Sequence, residues 1–416
     1  MAKTKILLTL LLALLALSAC NNDDGEIVYM LPESKSIQLN EAQKQIRDKN
    51  CEFAWRLFQT MQEQQSDGNC VLSPISVTYL LGMLNAGAAG TTRDEITSVL
   101  GFGNDPTAVN EFCKKMIDEA PNVDPAATVK IANCIDVNSA MGLTLLKQYV
   151  DDMKNYYHAQ IDALDFTKSS TLDIINNWCS KNTNGMIPSI LDEINPNAAM
   201  YLMNAIYFNA DWAEKFDMND ISNSLFKKSD GSVVTRPLMH RKAVALCCES
   251  DLCSVLRIPF GSGSYSMYIM LPAEGKTLND LIQEMTLQAL IDHMNAGDMT
   301  THEIDILIPK FEVLSEIDLK EILKSMGIRS AFTPNADFSN MSNSNLYVSK
   351  IKQKAKIEVN EDGAKASAVT IAEKLYTSIG PQEYEKSEFH VNRPFLYLIR
   401  EESTYSIFFI GTYCGD

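Results

Sequence analysis

The chain has 416 residues, 46% of them apolar and 21% charged, with a formal net charge of −17. That composition supports a sizeable core and excludes a disordered chain, and so acidic a surface repels phosphate backbones, which argues against nucleic-acid binding. Ten cysteines at irregular spacing do not make a disulfide framework.

Residues 1–19 read as an export signal. Lys3 and Lys5 form the basic end and Ile6 to Leu17 the apolar run, which is too short for a permanent span. Leu17-Ser18-Ala19-Cys20 resembles a bacterial lipobox, so Cys20 is expected to carry a lipid and begin the mature chain. Loss of Lys3 and Lys5 takes the charge to −19. Residues 20–45 are polar, with Asp23, Asp24 and Glu26 close behind Cys20, and are expected to tether the domain off a membrane. An acidic run there resembles the surface-export signal of some Gram-negative lipoproteins. An outer-membrane, surface-exposed location is expected, with a periplasm-facing one as the alternative, and the lipid is the only expected membrane contact.

The folded domain is expected over residues 46–416. Ala54, Leu57, Phe58 and Met61 give the first helix one apolar face. A short strand, Asn69 to Leu72, stops at Pro74, with Ser73 and Ser76 available to cap the next helix. Gly87 and Gly90 end that helix, and Thr92 to Glu95 is expected to start another. Leu146, Tyr149, Val150, Met153 and Tyr157 share a helical face that core packing explains. The near-continuous apolar run from Met200 to Phe208 suits a strand buried on both faces. Cysteines such as Cys134, within Ile131-Ala132-Asn133-Cys134-Ile135, read as small core side chains. Cys247, Cys248 and Cys253 lack a histidine at metal-ligand spacing, so no metal or cofactor is expected.

Near the end, a β-like run, Ala355 to Val359, leads into Asn360-Glu361-Asp362-Gly363-Ala364-Lys365-Ala366-Ser367-Ala368-Val369-Thr370. Alternate side chains of an extended chain share a face. Ala364, Ala366, Ala368, Thr370 and Ala372 therefore make one uniformly small face, able to enter a sheet between two strands. Composition alone favours a flexible Ala/Ser linker.

The chain as a whole decides between these readings. The hinge resembles the E-x-G-x-x-A-x-A-x of the serpin family. Asn69 to Val77 with Gly87 to Ile96, Asn177-Trp178-Cys179 with Thr183-Asn184-Gly185, and Asn204-Ala205-Ile206-Tyr207-Phe208 with Trp212 and Phe216 resemble further serpin motifs. Ile258-Pro259-Phe260, Ile308-Pro309-Lys310-Phe311, Met326-Gly327-Ile328 and Arg393-Pro394-Phe395 with Phe408 to Gly411 follow collinearly. The resemblance implies a mixed α/β fold of three mostly antiparallel sheets, eight or nine helices and an exposed reactive-centre loop at about residues 361–392. It implies no enzyme, and no G-x-S-x-G, H-E-x-x-H or Walker sequence is present.

What the resemblance further implies is a monomeric suicide inhibitor, whose cleaved loop inserts into the central sheet and traps the acyl-enzyme. The alternative is a non-inhibitory, binding or chaperone-like surface lipoprotein. The loop hinge is Glu361, Gly363, Ala364, Ala366, Ala368 and Thr370. The family places the scissile bond about sixteen residues after the hinge glutamate, which gives Thr377-Ser378, with Tyr376 and Lys374 as alternatives in a loop longer than usual. These side chains suit elastase-, chymotrypsin- or subtilisin-like serine proteases, Lys374 a trypsin-like one, and Thr377 also papain-like cysteine proteases. The resemblance assigns sheet opening to Ser73, Ser76, Asn204 and Trp212, with Gln353 where the family usually has histidine.

Overall fold

The computed structural model describes residues 34–64, 68–103, 106–295, 297, 299–364 and 383–415. The elements in chain order are α1 (Glu41–Gln64), β1 (Cys70–Leu72), α2 (Pro74–Gly87), α3 (Gly90–Leu100), α4 (Pro106–Glu119), β2 (Ala127–Asn138), α5 (Lys147–Tyr157), β3 (Gln160–Leu164), α6 (Ser170–Asn182) and β4 (Met200–Asp211). There follow β5 (Ile221–Lys227), β6 (Val233–Glu249), β7 (Cys253–Phe260), β8 (Tyr265–Pro272), α7 (Leu278–Glu284), α8 (Leu287–Met294), β9 (Thr300–Pro309), β10 (Phe311–Asp318) and α9 (Leu319–Met326). The chain ends with β11 (Lys352–Val359), β12 (Gly363–Ala364), β13 (Glu385–His390), β14 (Phe395–Glu401) and β15 (Ile407–Tyr413). Among the described residues there are thus nine α-helices, and none is long and apolar enough to cross a membrane.

The strands form the expected mixed, mostly antiparallel architecture, in three hydrogen-bonded sheets among the described residues. β6 is 17 residues long; it pairs with β5 over its first part, with β9 over its middle and with β7 at its end, and so joins nine of the described strands into one sheet. The other two sheets are β12-β4-β2-β3 and β10-β11. Among the described residues no backbone pairing joins β4 to β11 directly. A seam therefore runs between them.

Packing explains these placements. β4 is buried along most of its length. Its even-numbered Ala210, Phe208 and Ile206 join the main core, while Ala205 and Met203 pack with Ile175 and Cys179 of α6. Under the seam lies α2, apolar on nearly every side because it is buried on nearly every side. The helix register of α1 is as expected, with Ala54, Leu57, Phe58 and Met61 all buried.

Three local expectations are corrected. The tether expected to residue 45 ends earlier, because α1 starts at Glu41 and Ile37 is already buried, its N–H bonded to Ser403 Oγ at 2.9 Å. Ser73 stands at the N-cap of α2 but makes no side-chain cap bond. Thr92 and Glu95 do not open α3, which begins at Gly90. They serve tertiary contacts instead, Thr92 Oγ1 accepting from Asp337 N–H at 2.9 Å and Glu95 Oε2 from Ser330 N–H at 2.7 Å.

Candidate functional site

At the top of the seam the chain reverses after β11. Asn360 N–H donates to Gly363 O at 2.9 Å, and Gly363 N–H to Asn360 O at 3.2 Å. The Asn360 side chain also accepts from Asp362 N–H at 3.0 Å. The two loop residues of this hairpin are Glu361 and Asp362, and Gly363 closes it. The reversal lays β12 against β4, with Gly363 opposite Asp211 and Ala364 opposite Ala210 in antiparallel register. Two residues thus already lie as a strand on the seam edge of β4.

Gly363 is required there. Its φ is +150°, and a β-carbon would lie 2.1 Å from Ala210 O, 2.6 Å from Asp211 Cα and 2.8 Å from Trp212 N. All three are backbone atoms and cannot swing aside. Ala364, with its small side chain, is buried.

Trp212 holds the turn. Its indole N–H donates to Asn360 O at 2.9 Å, its backbone N–H to Asp362 O at 2.8 Å, and its ring stacks on Phe260 with centroids 4.5 Å apart. Charges fasten the two turn residues. Lys310 Nζ lies 2.5 Å from Glu361 Oε2, and Lys215 Nζ bridges Asp211 at 3.0 Å and Asp362 at 3.1 Å. Burial raises the Glu361 carboxyl, but the Lys310 ammonium outweighs it and leaves the group below the usual carboxylate value. Burial likewise lowers the Lys215 ammonium, and Asp211 with Asp362 more than restores it, so its proton is held above the ordinary lysine value.

Lower on the seam the two banks are anchored separately to the first turn of α2. On the β11 side the Gln353 amide clasps the Ser73 main chain, accepting from its N–H and donating to its C=O, both at 2.8 Å. On the β4 side Ser76 Oγ donates to Asn204 Oδ1 at 2.5 Å, and Asn204 Nδ2 donates to Asn133 Oδ1 at 2.9 Å. Gln353 bonds neither Ser76 nor Asn204, so among the described residues no side-chain hydrogen bond of this cluster crosses the seam. The Ser73 hydroxyl is buried without a hydrogen-bond partner among the described residues. At the foot of the seam a cavity of about 50 Å³ opens between Met200 and Leu202 of β4, Val348 and Ile351 before β11, and Leu80 and Leu84 of α2.

The structure therefore brings Glu361, Gly363, Ala364 and Trp212 together at the top, and Ser73, Ser76, Asn204 and Gln353 below them. Ala366, Ala368, Thr370, Lys374, Tyr376, Thr377, Ser378 and Cys20 lie outside the described residues. Sequence reasoning missed Asn360, Lys310, Lys215 and Asn133. The Asp-Gly dipeptide was a usable signal for the turn. The ion pairs and Asn133 had none, since their partners are distant in sequence.

Residues 48–415 match the family model for serpins, described as serine protease inhibitors. The chain is 30% identical over 374 residues to human Serpin I2, covering 87% of this chain and 90% of that protein. It is also 30% identical over 384 residues to mouse leukocyte elastase inhibitor A, covering 89% and 100%. Among solved structures, the thermophilic serpin tengpin in the native state superposes with a TM-score of 0.81 at 28% identity, covering 93% of this chain and 97% of that one. Human thyroxine-binding globulin complexed with its hormone gives 0.80 at 27% identity, covering 89% and 98%.

Proposed function

This chain belongs to the serpin family, and from that premise we propose that it inhibits serine proteases by inserting its cleaved loop into the seam between β4 and β11. The observation that carries the reading is the seated hinge, since Gly363 and Ala364 already occupy the start of the strand that insertion would complete. Continuing their register would bring Ala366, Ala368, Thr370 and Ala372 opposite Phe208, Ile206, Asn204 and Leu202 of β4. Those positions face the core under α2, where only small side chains fit. Lys374 would arrive last, opposite Met200, beside the cavity at the foot of the seam.

The energetics favour the movement. Each new backbone hydrogen bond contributes about 1 kcal/mol net, so a dozen give roughly 10 kcal/mol before apolar burial is counted. Opposing it are the fastenings at the top of the seam and the Gln353 and Asn204 contacts, which hold both banks to the first turn of α2 and so resist their parting.

Similarity to a thyroxine-binding globulin means that the fold alone does not require inhibition. The small-faced hinge favours the inhibitory reading over a binding or chaperone-like one. The proposed bait bond is Thr377-Ser378, with Lys374 and Tyr376 as alternatives, and the proposed targets are elastase-, chymotrypsin- or subtilisin-like enzymes, with papain-like cysteine proteases as a second class. A lipid on Cys20 would hold the inhibitor at an outer-membrane surface. Metabolic labelling with a radioactive fatty acid tests the anchor, which predicts label in the wild type and none in Cys20→Ala. Incubation with each protease class tests the inhibition. A protease-linked band resistant to denaturation supports it, and cleavage by every class without such a band contradicts it.

A further inference from the structure

β2 and β3 pair in parallel beneath α6, with Cys134 beside Gln160 and Asp136 beside Asp162. Alternate residues of a strand share a face, so these four side chains stand at the corners of one rectangle. Cys134 packs in the apolar cluster with Ile175 and Cys179 of α6, which places the rectangle on the α6 side of the sheet. One ligand atom from each of Cys134, Asp136 and Asp162 lies within 4.8 Å of the others. Cys134 and Asp136 are 1% and 3% exposed.

The arrangement is unexplained as packing. Among the described residues Asp136 receives one side-chain hydrogen bond, from the Cys134 thiol at 3.4 Å, and it faces a second carboxylate, Asp162. Among the described residues no lysine, arginine or histidine pairs with Asp136 or Asp162. A buried carboxylate without a cation or an outside donor is strongly disfavoured. A bound cation removes that penalty.

We propose that Cys134, Asp136 and Asp162 form a zinc site bridging β2 and β3 beneath α6. The donor set selects the metal. One thiolate with two carboxylates suits a borderline-soft, four-coordinate ion, whereas calcium and magnesium need six or more oxygen ligands. Zinc–sulfur and zinc–oxygen bonds of about 2.3 and 2.1 Å set tetrahedral donors about 3.5 Å apart. Cys134 and Asp136 already match that span. The fourth position falls to water or to the exposed Gln160, whose amide lies 2.5 Å from Asp162 Oδ2. β3 is the edge strand of its sheet and Asp162 is half-buried, so the ion enters from the sheet edge.

The test is calorimetric titration of the purified protein with Zn²⁺, paired with Co²⁺ titration followed by thiolate-to-cobalt charge-transfer absorbance. The expected result is one zinc per chain and a charge-transfer band. Cys134→Ala removes the band and weakens zinc roughly a hundredfold, and Asp162→Asn weakens it roughly tenfold. Asp162 is half-buried at an edge, so that variant keeps the test open if the Cys134 change impairs folding. Cys179→Ala, a buried thiol of the same cluster outside the donor set, binds as the wild type does. Absence of binding at millimolar zinc overturns the proposal, and so does binding that Cys134→Ala and Asp162→Asn leave unchanged.

Discussion

Replacing Gly363 by alanine is the most informative perturbation of the hinge. The new methyl would sit 2.1 Å from Ala210 O, on a backbone with φ of +150°. Positive φ alone costs an L-residue about 1–2 kcal/mol. The contact with β4 backbone cannot be relieved by a rotamer change, so β12 must leave β4. That gives up the Trp212–Asp362 backbone bond and the two-residue pairing, at about 1 kcal/mol per hydrogen bond. The seated hinge is thus disfavoured by about 2–3 kcal/mol, and if seating precedes insertion the insertion slows roughly 30- to 160-fold. Hydrolysis of the acyl-enzyme is untouched, so more encounters end in plain cleavage. The assay is the amount of protein consumed per protease inactivated, read with a denaturing gel. Gly363→Ala should raise that ratio at least about tenfold. An unchanged ratio and unchanged rate would refute the claim that the seated hinge lies on the insertion path.

Other substitutions separate the parts of this account. Ala366→Arg puts a long cation on the inserting face and should convert inhibitor into substrate; normal trapping by this variant would mean that the face is misassigned. Gln353→Leu strands the buried Ser73 N–H, whereas the Ser73 C=O keeps the Val77 N–H at 3.3 Å; at about 1–3 kcal/mol for the lost partner, thermal unfolding should begin about 1–4 °C lower. Gln353→His should change both the inhibition rate and the thermal transition, and the distinct role of Gln353 fails if neither moves. Glu361 is held below its ordinary carboxyl value of 4.5. Its pairing with Lys310 therefore stabilises the hinge fully above that pH and is lost as pH falls below it. Lys310→Met should flatten the acid limb of a melting-temperature profile relative to wild type, and parallel profiles would contradict the pairing.

Much of this was legible in the chain itself. Gly363 and Ala364, singled out in the sequence, lie along the edge of β4, the apolar run from Met200 marked the buried strand, and Ala54 to Met61 fixed the face of α1. The failures share a cause. Ser73, Thr92 and Glu95 have the residue types of helix caps, but tertiary partners claimed their positions, with Gln353 holding the Ser73 main chain and the segment around Ser330 and Asp337 binding Thr92 and Glu95. Local propensity cannot weigh a donor that comes from more than two hundred residues away. Lys310 with Glu361, and Lys215 with Asp362, were hidden for the same reason. Asp136 was passed over because one carboxylate within an apolar strand carries no meaning until β3 sets Asp162 beside it.

The measurement that tests the central claim most directly is the fate of protein mixed with elastase, chymotrypsin, trypsin, subtilisin and papain, followed by denaturing gels and mass spectrometry of the released C-terminal peptide. The account predicts a covalent adduct with at least one serine protease and a peptide beginning at Ser378. Complete cleavage by all of them, with no adduct, would contradict it.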